Sequence, residues 1–420
     1  MFKKTRKLIS VFMTSLLVVA LLVGCSNDEK TSGGKSSGAT EVLFWAPFSG
    51  PDGPNMKKIV EEYNKSQDKY KVKFQIVPQS EYYKTVDLAF NGKQTAPDVL
   101  ILHGDQIVNY SKKGVLKNLD EIMGDVVKRE DYHPNALKGA EVDGTLYGIP
   151  LDIHPLMFYW NKDLFKEAGL DPEKPPTTRE EFIEYAKKLT NLDKQQYGYV
   201  VPTLWPQQFI LPTIVYQNGG ELMEDGKINY TSPEVVEALQ FQHDLIFKHK
   251  VSPKDVQQDG ELTLFLQGKN AMHLNGPWMM NQFEESGLNY GVAPVPQLGT
   301  KQQAVYANSH NFVIPEKTDE KKLEAVTDFL NYVANNGMAW AESGMAPASK
   351  AVYTSAEFQQ FKQQPQVAKQ FEIAKYAPQV ENWGQLGEPL WNAVNLVLLG
   401  KQDPQKALEE AEKKAEERLK

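Results

Sequence analysis

The chain is almost without cysteine: Cys25 is the single thiol among 420 residues. One thiol cannot form a disulfide within its own chain, so the fold must be held by its cores and not by covalent staples. An excess of positive charge is also missing. Lys and Arg number 46 against 54 Asp and Glu, a net charge of −8, and an acidic balance disfavours the phosphate-backbone binding of nucleic-acid partners. Long apolar runs are scarce. The one that stands out, Leu8–Val23, has 16 residues, short of the roughly 20 that span a bilayer. Neither an HExxH zinc-peptidase pattern nor a P-loop is present.

What the N-terminus does hold is a basic stretch, Lys3, Lys4, Arg6 and Lys7, leading into that apolar run, the layout of an export signal. The run ends Leu22-Val23-Gly24-Cys25, which resembles the bacterial lipobox. Residues 1–24 are therefore expected to be a lipoprotein signal peptide and Cys25 the lipidated N-terminus. Two or more acyl chains on one residue anchor a protein stably where one is marginal, which puts the protein on the extracytoplasmic face of the cell membrane. Cleavage removes four cations and no anion, taking the net charge from −8 to −12. Residues 25–40 are rich in Gly and Ser, and after Cys25 no apolar residue is larger than alanine. They are expected to act as a flexible tether.

Over the whole chain the composition is that of an ordinary globular protein, 41% apolar and 24% charged, and the length predicts about two domains. Glu41–Ala46 reads as a buried strand, followed by the turn-rich FSGPDGPN and a helix with Met56, Ile59, Val60 and Tyr63 on one face. Val72, Phe74 and Ile76 alternate as a strand does. A helix with Tyr83, Val86 and Phe90 then leads to the apolar strand Val99–Leu102. Strands alternating with helices predict a mainly parallel sheet with ligands beyond the carboxyl ends of its strands, at the loops after Trp45 and Leu102. Further on, Thr178 with Glu181 predicts a capping box, Ser232-Pro233 an N-cap with proline at N1, and Asp403-Pro404 the start of a charged final helix.

The segment Tyr147–Phe165, YGIPLDIHPLMFYWNKDLF, stands apart. It is extended, broken by Pro150 and Pro155, and carries the polar pair Asp152 and His154 between two apolar halves. Such a segment suits a crossing between lobes, with Leu156–Trp160 as the first core strand of the second.

Taken together, FWAPFSGPDG, APDVLILHGDQI, the segment just described with KEAGLDP after it, QNGGELMEDGKINYTSPEV, GKNAMHLNGPWMM, WAESGMAPASK and EPLWNAVNLVLLGKQDPQKAL resemble the extracellular solute-binding proteins of bacterial carbohydrate ABC importers. This is the group that includes maltose-binding protein. The likeness covers nearly all of residues 41–420. It implies two doubly wound α/β lobes joined by a multi-strand hinge, the Venus-flytrap type II architecture. Lobe 1 is expected to be 41–152 plus 297–345 and lobe 2 to be 153–296 plus 346–420. Crossings are implied near Pro150–His154, Ala293–Gln297 and Gly344–Ser349. The implied partners are a carbohydrate and the permease subunits of the importer; a monomer is expected, with no cofactor and no nucleic acid.

Sugars present hydroxyls at the ring edge and C–H groups on the ring face, so a cleft for them needs amides, carboxylates and imidazoles together with aromatic platforms. Asp52 lies in the first post-strand loop. Asp105 and Gln106 stand in the loop for which the resemblance implies hydroxyl contacts, where helix capping by Asp105 is the plain alternative. Asp152 and His154 lie on the first crossing, with a hinge hydrogen bond as the alternative to ligand contact. Gln207 and Phe209 match a ligand-facing stretch of lobe 2, and Asn308 follows the second crossing. Of the seven tryptophans, Trp205, Trp278 and Trp383 are expected as cleft platforms, while Trp160 and Trp391 read as core.

Other functions stay in view. A receptor of the same fold could take a peptide, a polyamine or a metal. For a metal, His103, His133, His154 and His310 are conceivable ligands, but they are scattered along the chain without a ligand spacing, so no metal site is expected. A carbohydrate-active enzyme needs two carboxyls at a defined separation, which a sequence does not display; none is expected here, and no catalytic residue is assigned.

Overall fold

One continuous run, Ile149–Asn161, contributes a strand to each of three sheets, and it organises everything around it. The computed structural model describes residues 38–50, 52–123 and 128–419. Cys25, the expected signal peptide and most of the expected tether lie outside the described residues. Residues 39–420 form one compact unit, within which the protein has the two α/β lobes and hinge that its sequence implied.

The first-lobe sheet has the order Tyr70–Ile76, Thr40–Ala46, Val99–His103, His310–Val313, Ile149–Pro150. Its first three strands are parallel, as expected of strands joined by crossover helices. The other two pairings are antiparallel. The sheet is therefore mixed, not mainly parallel, because His310–Val313 arrives from the hinge and enters from the opposite end. Phe44 stacks on Phe74 and meets Phe312 and Phe329 at 5.5 and 5.6 Å between ring centroids. These contacts fasten the helix Glu320–Asn335 to the sheet face.

The second-lobe sheet has the order Tyr290–Pro294, Met157–Asn161, Asn270–Asn275, Tyr197–Tyr199. Met157–Asn161 is buried along its whole length, the core strand that its apolar aromatic sequence called for. The capping box forms: Thr178 Oγ1 accepts from the Glu181 amide while the Glu181 carboxylate accepts from the Thr178 amide. Asp403 accepts from the Lys406 amide ahead of the last helix, Pro404–Leu419. Ser232 precedes Pro233 at the helix start, yet its buried hydroxyl caps nothing. The helix Gln207–Gln217 is buried at every position except Gln208, so it runs through the lobe and not across its surface.

Four short strands form the hinge sheet: Ala346–Pro347, Asp152–Pro155, Val305–Asn308 and Ala374–Lys375. Two of the three expected crossings are among them. The middle one is not where the resemblance put it. Tyr290–Pro294 pairs with Met157–Asn161 inside lobe 2, and residues 297–299 remain tied to that lobe through Thr178, Arg179 and Gln217. The crossing is Val305–Asn308, antiparallel to Asp152–Pro155. Both segments are extended and proline-flanked; only the long-range pairing distinguishes them.

Glu261 is almost wholly buried in the second lobe. Burial, reinforced by nearby Asp259, raises its carboxyl to about 7. A carboxyl raised in the folded state binds more protons than in the unfolded state between about 4.5 and 7, so stability falls as pH rises through that window. Glu261→Gln is expected to stabilise by roughly 2–3 kcal/mol above pH 8 and to be neutral near pH 5, as read from denaturant midpoints at the two pH values.

Candidate functional site

Where the hinge meets the two sheets, the chain assembles a polar knot and an aromatic group side by side. Asp152 is fully buried and its carboxylate accepts four hydrogen bonds: from His154 Nδ1 at 2.9 Å, His310 Nδ1 at 2.8 Å, Trp340 Nε1 at 2.8 Å and the His310 amide at 3.1 Å. Burial alone would push this carboxyl up. His310 and His154 outweigh burial and hold it well below the ordinary carboxylate range. Burial, with His310 beside it, takes the His154 imidazole down to about 4. His154 is thus neutral near pH 7, and a neutral imidazole that donates from Nδ1 keeps an acceptor lone pair on Nε2.

His310 bridges outward from the knot. Its ring lies 4.3 Å from that of His154, 4.9 Å from that of His103 and edge-on to Phe48 at 4.9 Å. Asp52, on the loop after the first strand, is 8% exposed, and burial raises its carboxyl despite the favourable field of His310. Although it precedes the helix Gly53–Ser66, its side chain makes no capping bond. Asp105 does not cap either. Its carboxylate accepts from Asn308 Nδ2 at 3.0 Å and from Gln106 Nε2 at 3.1 Å, tying the first lobe to the hinge strand; burial nonetheless raises it. The approach is close because residue 104 is glycine. A Cβ there would stand 2.8 Å from Ser309 Oγ and 3.2 Å from Asn308 Oδ1.

Second-lobe aromatics complete the group. Trp205 and Trp278 lie 6.1 Å apart with rings tilted by 32°, and Phe209 meets both edge-on at 5.5 Å. Phe209 also packs on Tyr306 at 4.8 Å, and Trp278 meets His154 at 5.7 Å. The buried helix Gln207–Gln217 sets this geometry, since its Thr213 hydroxyl accepts from the Tyr306 amide. Trp205 is 39% exposed although it is aromatic, so one platform edge faces solvent.

Most of the expected residues therefore converge: Asp52, Asp105, Gln106, Asp152, His154, Trp205, Phe209, Trp278 and Asn308. Two do not. Gln207 points into lobe 2, where Nε2 donates to the Pro202 carbonyl and to Gln242 Oε1. Trp383 is buried at the start of the helix Trp383–Leu398, and no ring contact joins it to the aromatic group among the described residues. Tyr306, His310 and Trp340 belong to the constellation without having been singled out for the cleft. Residues 306–315 are strand-like in sequence, which is the available signal for the first two; nothing local marks Trp340 as a partner of Asp152. His103 is packed inside this constellation, its ring 4.9 Å from that of His310.

The sequence model of the bacterial extracellular solute-binding proteins matches residues 58–369. The chain belongs to that family. Among its relatives, this solute-binding protein is 27% identical to the galactooligosaccharide-binding protein of Bacillus subtilis over 99% of this chain and 98% of the relative. It is 26% identical to the maltodextrin-binding protein MdxE of the same organism over 77% and 78%. The GacH receptor of Streptomyces glaucescens, solved unliganded and with acarbose, shares the fold with a TM-score of 0.80 at 24% identity, covering 91% of this chain and 98% of that one. Maltose-bound T. maritima MalE3 gives a TM-score of 0.79 at 22% identity, over 90% and 100%.

Proposed function

We propose that this solute-binding protein is an extracytoplasmic receptor, lipid-anchored through Cys25, that binds an oligosaccharide between its lobes and delivers it to the permease of an ABC importer. The observation that carries the reading is the pairing of an aromatic group, Trp205, Phe209, Trp278 and Tyr306, with a row of amide, carboxyl and imidazole groups on the hinge and first lobe. Ring faces and ring hydroxyls of a sugar have complementary partners in that arrangement. The names of the galactooligosaccharide-binding and maltodextrin-binding relatives support the same ligand class.

The mechanism is hinge closure. Asn308 with Asp105 reaches the first lobe, and Tyr306 with Phe209 reaches the second, both from one hinge strand. A ligand touching both sides favours the closed form by its differential contacts, and by nothing else. We place the lobe change near residue 305 and assign the helices from Trp383 onward to lobe 2, against which they pack. The protein acts as a monomer, without cofactor and without turnover of its ligand.

A thermal-shift screen across mono- and oligosaccharides tests this, since a ligand present at 100 times its Kd stabilises by about 2.7 kcal/mol. The expected hit is an oligosaccharide that also shifts tryptophan emission and contracts the protein in small-angle scattering. No shift across a broad panel overturns the sugar assignment; hydrolysis of the hit overturns the receptor assignment in favour of an enzyme.

A further inference from the structure

The sequence argued against a metal because its histidines are scattered. In three dimensions three of the four converge. His103 ends a first-lobe strand, His154 sits on the first crossing and His310 follows the second. One ring nitrogen from each lies within 4.8 Å of the other two. Some point is then within about 2.8 Å of all three, so inward shifts of less than about 1 Å bring them to the 2.0–2.1 Å of zinc–imidazole bonds. The fourth, His133, is engaged elsewhere: its Nδ1 accepts from the Asn135 amide and its Nε2 pairs with Glu372.

The surroundings are those of ligating imidazoles. A metal-bound histidine ordinarily gives its other N–H to a carboxylate or similar acceptor, which fixes the tautomer and aims the ring. Asp152 lies against Nδ1 of both His154 and His310, and an imidazole that is neutral and donates from Nδ1 keeps its lone pair on Nε2. Tyr83 Oη stands against His103 Nδ1 and, accepting also from the His103 amide, holds that ring in place. Among the described residues, no hydrogen bond engages Nε2 of any of the three. A structural histidine cluster has no need of three ring nitrogens this close to one point, whereas a metal site requires them.

We infer that His103, His154 and His310 form a three-imidazole site for a divalent first-row transition metal, with Asp152 and Tyr83 as the groups that orient its ligands. Imidazole donors suit zinc, copper and nickel and not the hard cations calcium or magnesium. The site stands beside the aromatic group, since Trp278 and Phe209 both contact the His154 ring. A three-nitrogen set leaves a coordination position for a further donor. This inference does not rest on the sugar assignment.

The test is a titration of the EDTA-stripped, dialysed protein with Zn2+ by calorimetry, without sugar. One equivalent is expected to bind, at least 100-fold more weakly in His103→Ala and in His310→Ala and unchanged in a His243→Ala/His249→Ala double variant, which removes two histidines outside the cluster. X-ray absorption of the zinc-loaded wild-type protein, which needs no variant, is expected to report three imidazole ligands. Absence of saturable binding, two or fewer imidazoles on the metal, or binding abolished by the double variant instead overturns the site. Sugar titration in EDTA separates the readings, because a metal-free protein that binds sugar leaves the receptor assignment standing whatever zinc does.

Discussion

Asp152→Ala is expected to destabilise the protein by about 3–5 kcal/mol, the usual cost of removing one member of a buried charged network. The size follows from what is left behind. His154 Nδ1, His310 Nδ1 and Trp340 Nε1 all donate to this one carboxylate from buried positions, and each would lose its partner where water does not replace it. The three donors come from the first crossing, the strand after the second, and the short helix Met338–Ala341 before the third. One substitution thus loosens all three hinge segments. Thermal unfolding by circular dichroism is expected to show a midpoint lowered by roughly 4–6 °C. A loss under 1 kcal/mol would show that the knot is not what holds the hinge.

The same knot fixes the response to acid. His154 is held near 4, below the ordinary histidine value of 6.5, so the unfolded state binds more protons between those limits. Stability from this group is fully present above pH 6.5 and is lost as pH falls toward 4. Asp152, depressed by its imidazoles, adds stability that is present above the ordinary carboxylate range and is lost at lower pH still. Both slopes have one sign. Glu261 acts with the opposite sign between about 4.5 and 7, so the fall is expected in a Glu261→Gln background, where urea midpoints at pH 7, 5.5 and 4.5 should fall in that order.

Trp278→Ala is expected to weaken oligosaccharide binding by about 30–100-fold, the 2–3 kcal/mol of a central aromatic anchor. Trp278 is half-buried and touches Trp205, Phe209 and His154 at once, so it joins the platform to the hinge. Its removal takes away a stacking face and also loosens the setting of Trp205. Trp383→Phe is the contrast: it lies outside the aromatic group and should leave affinity within threefold. Calorimetry with the sugar found in the screen decides. If Trp278→Ala binds as wild type does while Trp383→Phe does not, the platform has been assigned to the wrong side of lobe 2.

How far the site could be read from the sequence depended on the range of the interaction involved. The capping box at Thr178, the acceptor at Asp403 and the buried strand Met157–Asn161 are set by neighbours a few residues away, and each formed where expected. Asp152 and His154 are two apart on an extended chain and could be paired by inspection. Gln207 and Phe209 are also two apart, but on a helix, where that spacing points side chains in different directions. Phe209 reaches the aromatic group and Gln207 turns inward to Gln242.

Alone, the chain's sequence determined the class of the protein and its two-lobed α/β architecture, and it named most of the residues that the structure gathers at the candidate site. These depend on composition, local periodicity and motif order. Tertiary structure decided the rest: that the middle crossing is Val305–Asn308 and not Ala293–Gln297, that Trp340 serves Asp152, and that His103, His154 and His310 meet. Each of those outcomes turns on strand pairing or contact between segments far apart in the chain. A strand's partner is chosen by the free energy of the whole sheet, and no stretch of sequence contains that choice.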